Sequence, residues 1–259
     1  MVRDRPIGYT PLTSRIGETA GQGSGEGRQG DAMRRVVTID GPAGAGKSTI
    51  ARRLAERLGW RLLDTGAMYR AVTLAALRAG LDLESDQALG ALAEGVTIRL
   101  PPGQVLLDGE DVTALVRSVE VTRSSSQLAD SPSVRRRLVG WQREFAAEND
   151  VVAEGRDQGT VVFPDAFRKF FLTASLDERA RRRHAEYAAR GGSVGLETVL
   201  RDLKERDGRD AARAIAPMVP APDARLIDST GLSLERVLEE IENLVRSGPP
   251  AGRNEGRPA

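Results

Sequence analysis

Short apolar runs alternate along this chain with stretches whose apolar residues recur at helical spacing. The runs read as strands at 36–40, 61–63, 151–153, 169–172 and 225–228. Between them lie helical stripes. Ile50, Ala51, Leu54, Ala55 and Leu58 form one, and Val134, Leu138, Trp141 and Phe145 a second. Leu196, Val199, Leu200 and Leu203 form a third, and Leu234, Val237, Leu238, Ile241 and Leu244 a fourth behind Ser233 as N-cap. Strands alternating with helices predict an α/β fold in which a parallel sheet is covered on both faces.

One segment breaks the alternation. Thr97–Leu100 and Gln104–Asp108 read as two strands joined by Pro-Pro-Gly, with Asp108-Gly109 a further turn, so residues 82–125 form a small β-containing insertion. The ends carry little that can pack. Gly17 to Gly30 holds six glycines among Ser, Gln and Glu, and residues 1–32 read as a disordered extension ahead of Met33, a candidate true start. Residues 247–259 read as a disordered tail, which leaves a domain over 33–246.

Composition narrows the chemistry. The chain has 259 residues, enough for one domain with an insertion, and its 38 basic and 37 acidic residues give no case for a nucleic-acid or membrane partner. It has no cysteine, which removes disulfides and thiolate catalysis, and its one histidine, His184, removes a polyhistidine metal site. No apolar run approaches the roughly 20 residues of a membrane span, and the N-terminus lacks a signal-peptide core. These readings place the protein in the cytoplasm.

The chemistry begins at Gly41-Pro42-Ala43-Gly44-Ala45-Gly46-Lys47-Ser48-Thr49, between the first strand and the first helix. A glycine-rich turn there lets backbone N–H groups close around phosphate oxygens, with the helix N-terminus adding its positive end. Lys47 is positioned to reach the β- and γ-phosphates, and the Ser48 hydroxyl to ligate Mg²⁺. Only three residues are lysine against 35 arginines, so an ammonium at this position is a compositional exception. The motif predicts nucleoside triphosphate binding. A GTPase also needs a guanine-reading Asn-Lys-x-Asp, which no lysine here provides, and Asp228-Ser-Thr-Gly231 lies too near the C-terminus for a switch.

Arginines stand beside acidic or polar residues in Asp64–Arg70, Glu154–Asp157 and Glu205–Arg213, which read as turns at strand ends. Transfer from a triphosphate to another phosphate brings two polyanions together, and guanidinium forks offset that repulsion while fixing geometry. The residues leave open a kinase acting on a nucleotide or another small molecule, and a nucleotide-binding regulator without turnover.

The blocks Ile39–Thr49, Leu63–Arg70, Glu154–Asp165, Glu205–Asp210, Ala214–Pro217 and Ile227–Leu232, in this order over 35–245, resemble the bacterial cytidylate kinases. The resemblance implies a P-loop nucleoside monophosphate kinase fold with the insertion in the acceptor-binding region and a helical lid over 177–195. It implies ATP and Mg²⁺, with CMP or dCMP as acceptor, and a monomer. Arg70, Arg156 and Arg213 are implied to hold the acceptor phosphate with Thr65 nearby, and Arg206 and Asp210 to contact the ribose. Ser126, Arg135 and Asp157 are implied to read the cytosine, and a carboxylate is the natural acceptor for its 4-amino group. Lid arginines Arg179, Arg182 and Arg183 are implied to close over the ATP phosphates. Gln158 stands where the family pattern leads one to expect an apolar residue.

Overall fold

The five apolar runs are strands, and register explains why the polar residues ending them meet. The computed structural model describes residues 34–189 and 191–248. In order come β1 (Val36–Asp40), α1 (Lys47–Leu58), β2 (Arg61–Asp64), α2 (Thr65–Arg78), α3 (Asp86–Gly95), β3 (Ile98–Arg99), β4 (Leu106–Leu107) and β5 (Glu110–Asp111). There follow α4 (Val119–Leu128), α5 (Pro132–Glu148), β6 (Val151–Glu154), a π-helical turn (Gln158–Val162), β7 (Arg168–Thr173), α6 (Leu176–Ala189), α7 (Leu196–Ala212), β8 (Arg225–Asp228) and α8 (Leu234–Arg246). The main sheet has the order β2-β6-β1-β7-β8, with every pairing parallel. Asp64 pairs with Glu154, and Glu154 with Ile39 beside Asp40, so three carboxylates finish adjacent strands at the sheet's C-terminal edge. That edge is where α/β sheets place ligands.

Apolar packing covers both faces. Ile50, Leu54, Leu238 and Ile241 from α1 and α8 bury against Val37, Ile39, Phe170 and Leu172. Met68, Val72, Leu89, Val134 and Leu138 from α2, α3 and α5 bury against Leu63, Val151 and Ala153. Side-chain caps fix the helix starts: Asp64 accepts from Ala67 N–H, Ser131 from Val134 N–H and Ser233 from Arg236 N–H.

The insertion has more helix than its sequence pattern indicates. Its antiparallel sheet has three strands, and the expected pair over 97–100 and 104–108 shortens to Ile98–Arg99 and Leu106–Leu107, with β5 added. Asp108 and Gly109 both take positive φ (50° and 88°), the signature of a type I′ turn between β4 and β5. Around this sheet stand α3 and α4, held by Val105, Leu107, Val112, Val116 and Val121 packed on α2. Two turn assignments are corrected likewise. Thr65–Arg70 opens α2, and Glu205–Ala212 lies inside α7 with Arg213 as its C-cap. Ser126 is on α4.

The tail assigned from 247 begins with two residues that are held. Ser247 caps α8, and the Gly248 carbonyl accepts from Arg168. The extension over 1–32, the start at Met33 and residues 249–259 lie outside the described residues.

The phosphate loop fits the sheet at a single point of close approach. A Cβ on Gly41, whose φ is 139°, would stand 2.0 Å from the Leu172 carbonyl oxygen. Gly59 also has positive φ (68°), but nothing lies within 4 Å of its would-be Cβ. Gly41→Ala is therefore expected to cost about 3 kcal/mol or more, a fall in Tm of at least about 6 °C, whereas Gly59→Ala costs about 1 kcal/mol. Thermal unfolding of the two variants checks the difference, and equal losses would contradict it.

Candidate active site

Three strand ends and five helices supply the side chains that surround one cavity of about 1120 Å³. From the loop after β1 come Ala43, Gly44, Gly46, Lys47, Ser48 and Thr49; β2 and α2 bring Asp64, Thr65, Tyr69 and Arg70. Ser126 of α4, Arg135 of α5, and Glu154, Arg156 and Asp157 after β6 line it further, as do Arg183 of α6 and Arg206, Asp210 and Arg213 at α7. Gly41, Pro42 and Ala45 of the same loop do not line it.

The loop has the geometry its composition implies. Gly41, Gly44 and Gly46 take positive φ (139°, 78° and 95°), a backbone path that side chains rarely follow. Lys47 is buried, and its Nζ donates to the Pro42 carbonyl at 2.7 Å. Burial, then repulsion from Arg156 and Arg206, lowers it to about 7, against the attraction of Glu154. Ser48 Oγ donates to Glu154 Oε1 at 2.7 Å. Burial and the neighbouring Asp64 raise Glu154 above the usual carboxylate range, with Lys47 and Ser48 opposing. Asp40, at the end of β1, accepts backbone N–H bonds from Gln158 and Gly159, and burial pushes it up to about 6.

Opposite the loop, arginines gather around one carboxylate. Asp210 accepts from Arg156 at 3.0 Å and from Arg213 at 2.8 Å, with Arg206 3.9 Å away. Burial alone would raise Asp210, but these guanidiniums hold it below its ordinary range. Arg206 moves the other way. Burial, then Arg156, Arg70 and Arg183, lowers it to about 10 against the pull of Asp210, and its Nε has no hydrogen-bond partner. Arg70 approaches Asp64 at 3.6 Å, and its buried Nε is likewise unpartnered. Arg213 also bonds Asp130, and Thr65 Oγ1 donates to the Glu154 carbonyl. Positive charge is thus collected here beyond what the local carboxylates satisfy, an arrangement suited to a polyanion.

Asp157 and Arg135 form a buried ion pair at the cavity wall, with Arg135 also over the Tyr69 ring at 5.8 Å. Ser126 lies beside them in the wall with its hydroxyl donating to the Arg123 carbonyl. Gln158 is buried directly behind, its Oε1 without a partner and its side chain against Gly155.

Residues 37–247 match the family model for cytidylate kinase. The chain belongs to the cytidylate kinase family. It is 47% identical over 223 residues to the cytidylate kinase of Stutzerimonas stutzeri, covering 84% of this chain and 97% of that protein. It is 49% identical over 219 residues to the cytidylate kinase of Salmonella paratyphi B, covering 83% and 96%. The family reaction, phosphoryl transfer from ATP to cytidylate, is the activity that membership gives this enzyme.

Two of the three arginines expected to close over the ATP phosphates turn away from the cavity. Arg179 donates to the Ala174 and Ala43 carbonyls and pairs with Asp207 at 2.5 Å. Arg182 donates to Ser229 and pairs with Glu178. Both therefore brace the phosphate loop from behind, while Arg183, over the Tyr187 ring, faces the cavity. His184 is half-buried on α6. Sequence reading passed over Glu154 and Asp40 as individual residues. The available signal was positional, an acid directly ending an apolar strand at the ligand edge.

The depressed Lys47 makes a measurable prediction. With a value of about 7, the empty site at pH 8 holds Lys47 mostly neutral, and a bound triphosphate restores its charge. ATP binding at pH 8 is then expected to take up protons, and the uptake to shrink as the pH falls through 7. Calorimetry in buffers of different ionisation enthalpy reads this uptake. Heats independent of buffer at pH 8 would mean that Lys47 is already charged in the empty site.

Proposed function

We propose that this cavity holds ATP along the phosphate loop and CMP or dCMP against the arginine cluster, with phosphoryl transfer between them. The observation that carries the reading is the crowding of Lys47, Arg70, Arg156 and Arg206 around one cavity, with Asp210 and Glu154 offsetting only part of their charge. Backbone N–H groups of 44–49 and Lys47 hold the triphosphate. Arg70, Arg156 and Arg213 hold the acceptor phosphate with Thr65 beside them, and Arg206 and Asp210 meet the ribose. Ser126, Arg135 and Asp157 read the base.

The Ser48 hydroxyl and the adjacent Glu154 carboxylate are hard oxygen donors of the kind Mg²⁺ takes. They are the residues that would hold the ion, directly or through water. When bound, Mg²⁺ offsets charge on the β- and γ-phosphate oxygens. An acceptor phosphate is already ionised at neutral pH, so this chain needs no general base, in keeping with its single histidine. Its side chains position the two phosphates and stabilise charge as the bond between them changes hands. Arg183 supplies lid charge from α6. Arg179 and Arg182 position the loop in the present conformation and release their bonds if the lid closes further. Sparse apolar packing of α6 on α7, limited to Ala180, Val199, Leu203 and a few partly buried neighbours, is consistent with such motion. The enzyme acts as a monomer in the cytoplasm on this reading; no helix among the described residues is long and apolar enough to cross a membrane.

Base recognition gives the sharpest test. The Arg135 guanidinium holds one Asp157 oxygen, and the other accepts the cytosine 4-amino hydrogen. Uracil presents a carbonyl there and is rejected by repulsion. Asp157→Asn removes a charged hydrogen bond worth about 1.5–3 kcal/mol and offers an amide donor to uracil. The ratio of kcat/KM for CMP over UMP is expected to fall at least about tenfold. Leaving Arg135 unpaired weakens both reactions alike, so an unchanged ratio with lower activity would place Asp157 in support of the loop rather than in contact with the base.

Lys47→Ala is expected to lower turnover by far more than tenfold while leaving circular dichroism unchanged, since it removes a charge aimed at the transferring phosphoryl group. Retention of more than about a tenth of the activity, a loss under ~1.4 kcal/mol, would remove Lys47 from that role.

A further inference from the structure

Asp40 is buried, ends β1 and directly precedes the phosphate loop, yet it points at the other half of the site. Its Oδ1 accepts from Gln158 N–H at 2.9 Å and its Oδ2 from Gly159 N–H at 2.7 Å. These are the first two residues of the π-helical turn that follows Asp157. The far end of the same turn is held from α5, where Arg143 donates to the Val161 and Val162 carbonyls, both at 3.0 Å. A carboxylate on the N–H end and a guanidinium on the C=O end both suit the dipole of the turn. The approach is close: a Cβ on Gly159 would stand 3.0 Å from Thr38 Oγ1 and 3.4 Å from Asp40 Oδ2. A π turn is rare and requires such support, and rare backbone of this kind concentrates at functional sites.

We propose that Asp40 is a positioning residue for the acceptor site, clamping with Arg143 the turn that presents Arg156 and Asp157 and so setting the acceptor's position relative to the phosphate loop. The inference rests on the acceptor roles proposed above for Arg156 and Asp157. Asp40 itself ends a central strand, so its position is shared with Gly41 at the start of the loop, and one side chain ties the registers of donor and acceptor together. A displacement of the turn on the order of 1 Å is enough to spoil an in-line geometry.

Steady-state kinetics of the full-length Asp40→Asn, Arg143→Gln and Arg156→Gln variants, with ATP and CMP varied separately, test this. Asp40→Asn loses one of the two N–H acceptors and is expected to raise the KM for CMP at least about tenfold while the KM for ATP stays within about twofold. Arg143→Gln, on the exposed face of α5, is expected to raise the CMP KM about threefold, again sparing ATP. It keeps the inference testable if Asp40→Asn does not fold. A lower Tm with both KM values unchanged would reduce Asp40 to a structural role and overturn the inference. So would a rise confined to ATP, which would assign Asp40 to the phosphate loop alone. If Arg156→Gln raises the CMP KM and the two clamp variants do not, this inference fails and the acceptor site stands. An unchanged CMP KM in Arg156→Gln would overturn the acceptor reading and this inference with it.

Discussion

Repulsion among like charges is the constraint around which this molecule is arranged. Burial lowers both Lys47 and Arg206, and like charges add to it: Arg156 and Arg206 act on Lys47, and Arg156, Arg70 and Arg183 on Arg206. Such a cluster persists only if the surrounding structure holds it against its own charge. Two buried carboxylates do most of that locally. Asp210 gathers Arg156, Arg206 and Arg213, and Glu154 stands beside Lys47 and Ser48. On the proposed function, phosphate oxygens complete the set, and binding them relieves repulsion that folding alone leaves in place.

The architecture divides this task between a stiff part and a soft part. β1, β6 and β2 are bonded in register, so Asp40, Glu154 and Asp64 reach the C-terminal edge as a rigid row. Apolar clusters on both faces fix that row. By contrast, α6 and α7 share only a small apolar contact, and the bonds that seat α6 on the loop are polar ones from Arg179 and Arg182 to the Ala43 and Ala45 carbonyls. Polar bonds to carbonyls exchange readily with bonds to phosphate. A helix seated this way can rearrange without breaking a core.

Much of this was legible in the sequence because the relevant signals are local. The strand runs, the glycine spacing before Lys47 and the Ser233 cap each act within a few residues, and the structure agrees with them at those positions. The motif blocks carried the family. Legibility failed where short-range pattern and tertiary packing disagree. Thr65–Arg70 and Glu205–Arg213 look like turns because they are polar and glycine-bearing, yet Asp64 caps one as a helix, and the other continues α7 behind Val199 and Leu203. Ser126 sits in a run of serines, but Val121 and Leu128 bury the helix that holds it. The π turn after Asp157 could not be read at all. Its support comes from Asp40 and Arg143, distant in sequence and unmarked by any periodicity.

Comparing the stability of the empty enzyme with that of the liganded one tests the central claim. Arg206→Gln removes one cation from the repelling set, so the empty variant is expected to melt no lower than the parent, while the rise in Tm produced by CMP with a non-hydrolysable ATP analogue shrinks by more than half. An empty variant that melts several degrees lower, with the ligand-induced rise intact, would show that Arg206 stabilises the fold rather than waits for phosphate, and would contradict the account.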